Sequence, residues 1–403
     1  MPEDGYDVEA LRAHFPSLAG GTAYFDGPGG TQTPDVVGDA MRRAITQPLS
    51  NRGRLTPAER NADDTVLAAR TALADLVGGA PEGVVFGRSM TQLTFDISRA
   101  MAKTWEPGDE IVVTRLDHDA NVRPWVIAAE NSGATVRWAD FDPATGELDP
   151  AAITSLLTED TRLVAVTAAS NLIGTRPDLP TVAAAVREAG ALLYVDGVHH
   201  TAHVATDVAE LGADFYACSP YKFLGPHCGA VVAVPELLAE LHPDKLVPAT
   251  EQVPERFELG TLPYELMAGT TAAVDFLASI GDGDDRRSRL RSAYTAIERY
   301  EDGLRERLEE GLANLPCVVH SRAQRRTPTV LVTFPDADAA EVSVALADRD
   351  INAPAGNFYA WEASHHLGLG DAGGLRVGLA PYSTEDDVDR LLAGLGELLT
   401  GSR

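Results

Sequence analysis

A lysine can hold a carbonyl compound covalently, and this 403-residue chain offers three: Lys103, Lys222 and Lys245. Lys103 sits in AMAKTWEPGDE, a polar helix end before a Pro-Gly turn, and Lys245 sits in LHPDKLVP, a polar connection. Both read as surface lysines. Lys222 lies in ACSPYKFLGPHCG, flanked by Tyr221, Phe223 and Leu224, between two apolar segments. An ammonium in apolar surroundings is costly, and desolvation lowers its pKa toward the neutral amine that attacks carbonyls. A lysine that snorkels to water or pairs with an acid is the other reading these residues leave open.

Asp196 ends the apolar run Leu192–Asp196 in YVDGVHHTAH. In an open parallel sheet, ligands sit at the carboxyl ends of strands. A carboxylate there can keep a heterocyclic nitrogen protonated, which pyridoxal phosphate requires of its protein because the pyridinium is its electron sink. A helix N-cap or turn aspartate is the alternative. His199, His200 and His203 follow, but HHxxH without a nearby Cys or Glu lacks a zinc pattern, so no metal is expected.

Such residues need elements to position them. Short apolar runs recur at Gly83–Phe86, Ile111–Thr114, Thr135–Ala139, Leu163–Ala168, Leu192–Asp196, Phe215–Cys218 and Gly229–Val234. Helical stretches separate many of them, which predicts an α/β fold with a mostly parallel seven-stranded sheet covered on both faces. Residues 286–315 carry one apolar stripe at 3- and 4-residue steps, a long helix. A smaller α/β unit follows. The expected division is 1–20, an N-terminal segment packing with the small domain; 21–264, the large cofactor-binding domain; and 265–403, the long helix and small C-terminal domain. Alternating strands and helices also suit a nucleotide-dependent oxidoreductase, but no G-x-G-x-x-G turn follows the first strand.

Composition narrows the setting. Net charge is −27, a surface that repels nucleic acid and anionic lipid. No apolar run approaches the roughly 20 residues of a membrane helix. The N-terminus, MPEDGYDVEALRAHF, is acidic and lacks the order of a signal peptide. Cys218, Cys228 and Cys317 show neither metal nor disulfide spacing. A reduced, cytoplasmic protein is expected.

Asp196 followed by SPYK at Lys222, with YFDGPGG before and LRVGLAPYSTEDDVDRL after, resembles the class-V aminotransferase family of fold-type-I pyridoxal-phosphate enzymes. The nearest likeness is to its cysteine-desulfurase-like subgroup, which includes isopenicillin-N-epimerase-like and kynureninase-like proteins. The resemblance implies a Schiff base on Lys222, Asp196 at the pyridine nitrogen, and His118 of LDHDANVRPW stacked on the ring. It implies Asn171 and His199 at the ring's 3-hydroxyl. Met90, Thr91 and Ser219 would bind the phosphate, the first two at a helix N-terminus. Gly260 and Thr261 of ELGT would reach the phosphate of a neighbouring subunit, hence a homodimer with active sites at the interface. Arg376 would grip a substrate α-carboxylate, with Gly29, Asn51 and Arg52 lining the substrate pocket.

The sequence departs from the family's pattern in two places. Desulfurases carry a sulfur-accepting cysteine shortly before the substrate arginine; here that region reads APAGNFYAWEASHHLGLGDAGGLRVG, without cysteine. Cys218 and Cys228 read as buried structural thiols. Tyr221 stands where many desulfurases have histidine. Phe358, Tyr359 and Trp361 either wall the substrate pocket or pack the small domain. The expected function is transferase or C–S lyase (desulfurase-like) chemistry on a small amino acid. Epimerisation, decarboxylation, or a non-catalytic cofactor-binding role are the alternatives.

Overall fold

The computed structural model describes residues 6–401. The expectation for residues 1–5, part of the acidic N-terminus, lies outside the described residues. All seven apolar runs form strands of one sheet: β1 (Val84–Gly87), β2 (Glu110–Thr114), β3 (Thr135–Ala139), β4 (Thr161–Thr167), β5 (Leu192–Asp196), β6 (Phe215–Cys218) and β7 (Gly229–Ala233). Their order is β1-β7-β6-β5-β4-β2-β3. Only β7 runs antiparallel to its neighbours.

The sheet is apolar on both faces because alternate residues of each strand feed different cores. Val112, Val164, Val166, Leu193 and Val195 pack in one cluster. Ile111, Val113, Leu163, Ala165 and Tyr194 pack in the other. Helices cover both layers, among them Pro57–Val77, which begins with a Thr56–Glu59 capping box and ends on left-handed Gly78.

The small unit is a four-stranded antiparallel sheet centred on Thr329–Thr333 and Gly374–Gly378. Ala23–Tyr24 pairs with Ile351–Asn352, so the chain touches this unit before it enters the large sheet. The N-terminal segment docks nearby: Tyr6 donates to Pro381 O at 2.6 Å, and Arg12 pairs with Asp387 at 3.1 Å. The helix Arg286–Leu312 ties the two units. Leu290, Tyr294 and Ile297 pack in the core of the large sheet, and Leu304, Leu308 and Leu312 in the core of the small one. That packing fixes Arg376, on the small sheet, relative to Lys222 beside the large one.

Candidate active site

The carboxyl ends of β2, β4, β5 and β6 lead into His118, Asn171, Asp196 and Lys222, and all four line one cavity of about 610 Å³. Arg376 reaches the same cavity from the small sheet, and Gly29 from the N-terminal loop. A Cβ at position 29 would sit tightly against Asp26 O at 3.0 Å and in ordinary contact with Arg376 Nη2 at 3.5 Å.

Lys222 is buried on a short turn after β6, where its amine donates to Pro28 O. Burial first, then the charge of Arg376, pushes its pKa down to about 7; Asp196 and Asp26 oppose this. Lys103 and Lys245 instead pair at 2.7 Å with Asp244 and Glu251 at the surface. The sign of the pH dependence follows. Above about 7 the Lys222 amine is neutral and nucleophilic; below it the amine is protonated and inert. Attachment of pyridoxal phosphate to cofactor-free protein should therefore rise through pH 7 and level off by pH 9. Below the midpoint it should fall roughly tenfold per unit. Stopped-flow absorbance checks this; a rate still climbing at pH 10 would show an ordinary, hydrated lysine.

Asp196 is buried at the end of β5, with one oxygen accepting from Val198 N at 2.9 Å. Burial raises its pKa to about 6 against the pull of that N–H and of Lys222. Such a carboxyl awaits a cation.

His118 follows a buried network that explains much of its motif. Trp125 Nε1 donates to Asn121 Oδ1 at 3.1 Å, Asn121 Nδ2 donates to Asp117 Oδ1 at 2.7 Å, and Thr114 Oγ1 donates to Asp117. Burial lifts the Asp117 carboxyl to about 8. Sequence reasoning missed Asp117, though it sits in the same motif. Ala120 N donates to His118 Nδ1 at 3.0 Å, so the ring proton sits on Nε2. Burial, then Lys222 and Arg376, lower its pKa to about 3, so the ring is a neutral, flat face.

Asn171 Nδ2 donates to Phe358 O at 3.0 Å, which leaves Asn171 Oδ1 buried without a partner. His199 Nε2 sits between the hydroxyls of Thr327 at 2.9 Å and Thr329 at 3.0 Å, leaving its buried Nδ1 likewise unpartnered. Neighbouring His203 is held by Glu301 at 2.8 Å, and His200 by the hydroxyls of Thr206 and Tyr216, both at 3.2 Å.

Met90 and Thr91 open the helix Met90–Ala102, capped by Ser89, whose side chain accepts from Gln92 N at 3.1 Å. Gly229 lets this helix start lie against the sheet, since a Cβ there would fall 2.0 Å from Met90 N. Met90, Thr91, Ser89 and Ser219 all line the cavity, a set of donors suited to an anion. Arg376 is 2 % exposed, donates from Nη1 to Asn171 O at 3.0 Å, and leaves Nε unpartnered. Burial lowers its pKa to about 9, with Asp26 opposing.

Four expected residues stand apart. Asn51, Arg52, Gly260 and Thr261 do not line the cavity of their own chain. The Arg52 guanidinium is taken by Asp63 at 2.8 Å and Glu255 at 3.0 Å. Gly260 and Thr261 are exposed. Of the aromatic trio, Phe358 and Tyr359 line the cavity, whereas Trp361 stacks on His365 at 4.1 Å and donates to Asp371 at 3.2 Å. Tyr221 lines it too, stacked on His227 at 5.0 Å. No cysteine does: Cys218 and Cys228 are buried and Cys317 is half-buried, and burial raises the pKa of all three.

Residues 23–391 match the family described as aminotransferase class-V. The chain belongs to that family. The chain is 33 % identical to the uncharacterized protein MT3887 of Mycobacterium tuberculosis, covering 98 % of this chain and 99 % of that one. It is 32 % identical to the aminotransferase-like protein FGM3 of Gibberella zeae, covering 99 % and 100 %. Among solved structures, the cysteine desulfurase CsdA of Escherichia coli superposes with a TM-score of 0.86 at 27 % identity, covering 98 % and 100 %. The family is pyridoxal-phosphate-dependent, so the chain is a pyridoxal-phosphate-dependent transferase or lyase of the fold-type-I architecture. The cavity fits that cofactor. It offers donors at a helix start for a phosphate and a raised carboxyl for a ring nitrogen. Two unpartnered polar atoms, on Asn171 and His199, suit a ring hydroxyl, and a lowered amine suits an aldehyde. Among the described residues, no helix is long and apolar enough to cross a membrane.

Proposed function

We propose that this protein acts on an α-amino acid, by amino-group transfer or by elimination at the side chain, with Lys222 as the catalytic amine. The observation that carries this is the buried Lys222, lowered to about 7, sharing one cavity with Asp196 and Arg376. Bound pyridoxal phosphate supplies an aldehyde that condenses with amines and a pyridinium that withdraws electrons from the α-carbon. Met90, Thr91 and Ser219 would hold its phosphate, and Asn171 and His199 its ring hydroxyl. Asp196 would keep its ring nitrogen protonated. Neutral His118 would offer it a flat face without adding charge. Arg376 binds the substrate carboxylate, which fixes the α-carbon beside Lys222. The Lys222 amine then takes the α-proton, which leaves the α-carbon in transfer and goes to the departing side-chain group in elimination, a step its near-neutral pKa suits.

Persulfide formation on the protein is left out of this proposal, because no cysteine lines the cavity. Any sulfur released would leave to an external acceptor. The reading also takes the enzyme as a homodimer in which Gly260 and Thr261 serve the partner's site. Leu259 beside them is 55 % exposed and Val247 is 98 % exposed, apolar surface a second copy would cover.

The test mixes holoenzyme with single amino acids and follows the cofactor's visible spectrum and the products by mass spectrometry. A 2-oxo acid with aminated cofactor marks transfer; loss of a side-chain group marks elimination. A protein that takes up no pyridoxal phosphate, or answers no amino acid, sinks the proposal.

A further inference from the structure

The strap at residues 357–360 contributes Phe358 and Tyr359 to the cavity lining. It holds two successive aromatic residues in left-handed backbone, Phe358 at φ 54° and Tyr359 at φ 58°. Residues with a Cβ resist this conformation, and bulky ones keep it only where their surroundings over-determine it. Here the restraints come from the site itself. Asn171 Nδ2 donates to Phe358 O at 3.0 Å, and Asp119 N, next to His118, donates to Tyr359 O at 2.7 Å. The Phe358 ring centre lies 3.6 Å from the Arg376 guanidinium carbon. The Tyr359 ring stacks on His118 at 5.7 Å with 27° between planes. Yet Tyr359 is 74 % exposed. Its strained backbone is not offset by burial of its own ring within the chain. A strained residue whose ring stays open beside a ligand cavity points to a role in binding.

Beyond the residues that suit the cofactor, the cavity lining includes Phe358, Tyr359, Ala120 and the Asp119–Arg123 pair, 3.0 Å apart. Arg123 already has Asp119, with Glu362 a further 3.6 Å away, so this part of the lining holds no spare cation for a second acidic group. What it offers is aromatic surface beside the carboxylate anchor.

We infer that the strap determines specificity: Phe358 positions the Arg376 guanidinium, Tyr359 walls the side-chain subsite, and the preferred substrate carries a planar apolar side chain. This departs from the small amino acid that the sequence suggests. It rests on the proposed function, since it takes Arg376 as the carboxylate anchor. With its face against Phe358 and Nη1 committed to Asn171 O, Arg376 can meet a carboxylate only along its remaining edge. A flat side chain on that substrate then stacks on Tyr359.

The test titrates holoenzyme calorimetrically with propanoate, 3-phenylpropanoate and succinate, carboxylates without an amine, which report binding without chemistry. 3-Phenylpropanoate should bind roughly tenfold more tightly than propanoate, from burial and stacking of one ring. Tyr359→Ala should erase that gap, and Tyr359→Phe should keep it. Phe358→Leu should weaken both monocarboxylates alike, and Phe358→Tyr should restore them. Equal binding of the two in the wild type, or a gap that survives Tyr359→Ala, overturns the proposal. So does tightest binding of succinate, which would assign this part of the lining to a second anion through Arg123. Arg376→Lys separates the layers. If it weakens both monocarboxylates while the wild type shows no gap, only the strap proposal fails. If it changes neither affinity, the carboxylate anchor fails, and the proposed function with it.

Discussion

Lys222→Ala is expected to abolish turnover, a loss of roughly a thousandfold or more, because it removes both the covalent anchor and the proton-transfer group. It should also remove the cofactor mass that borohydride reduction otherwise fixes on the peptide carrying residue 222. The fold should survive. The native state gives up an amine whose burial disfavours its charged form, and Pro28 O loses one donor, a cost of about 1 kcal/mol. Lys222→Arg sharpens the test. It keeps a cation and a donor but has no primary amine, and guanidinium stays protonated at any working pH. A purely structural lysine would tolerate that change; a chemical one would not. Lys103→Ala and Lys245→Ala should leave activity unchanged, since their side chains reach Asp244 and Glu251 and the carbonyls of His242 and Ala249, none of which lines the cavity. If the borohydride-fixed mass persists in Lys222→Ala, the lysine is misassigned.

Lys222 was legible because burial writes itself into sequence. An apolar flank around a lysine between two strand-like runs has few outcomes, and Asp196 at the end of a third run fits the same sheet edge. Most of the seven strands were legible for a related reason: nearly continuous apolar runs suit strands buried on both faces, whereas Thr135–Ala139, with Arg137, lies half-buried at the sheet edge. Residues whose partners lie far along the chain or beyond it are harder to read. Arg52 was grouped with the pocket, but Asp63, eleven positions on, and Glu255, far along the chain, claim its guanidinium. A charged side chain goes to its nearest available partner, and linear order does not reveal that partner. Gly260 and Thr261 are exposed in one chain, and a role across a subunit boundary cannot be read from one chain's periodicity. The strap was half legible. Its aromatic composition was plain, but left-handed backbone at Phe358 and Tyr359 runs against both residue types, and only contacts from Asn171, Asp119 and Arg376 impose it. Asp117 was hidden similarly. An acid beside a histidine looks solvated, whereas here it is fully buried and bonded to Thr114 and Asn121.

Asp196→Asn separates holding the cofactor from activating it. The substitution keeps the shape and an oxygen for the Val198 N–H, so the backbone after β5 should not move. It removes the negative charge. In the wild type burial leaves that carboxyl at about 6, uncomfortable alone and stabilised by a cation placed against it. A protonated ring nitrogen is such a cation, and the pair is stronger for lying out of water. Asparagine cannot keep that nitrogen protonated, so electron withdrawal from the α-carbon weakens. Turnover should fall on the order of 10²- to 10³-fold, the scale of losing one preorganised electrostatic contact. Attachment to residue 222 should persist, because the amine and the aldehyde are untouched. Asp196→Glu should also be impaired, since an added methylene moves the carboxylate off the nitrogen. The two variants thus divide the site by readout: Lys222→Ala loses turnover and the borohydride-fixed mass together, whereas Asp196→Asn loses turnover and keeps the mass. An Asp196→Asn enzyme with undiminished turnover would make Asp196 a turn residue, its buried carboxyl serving only the Val198 N–H.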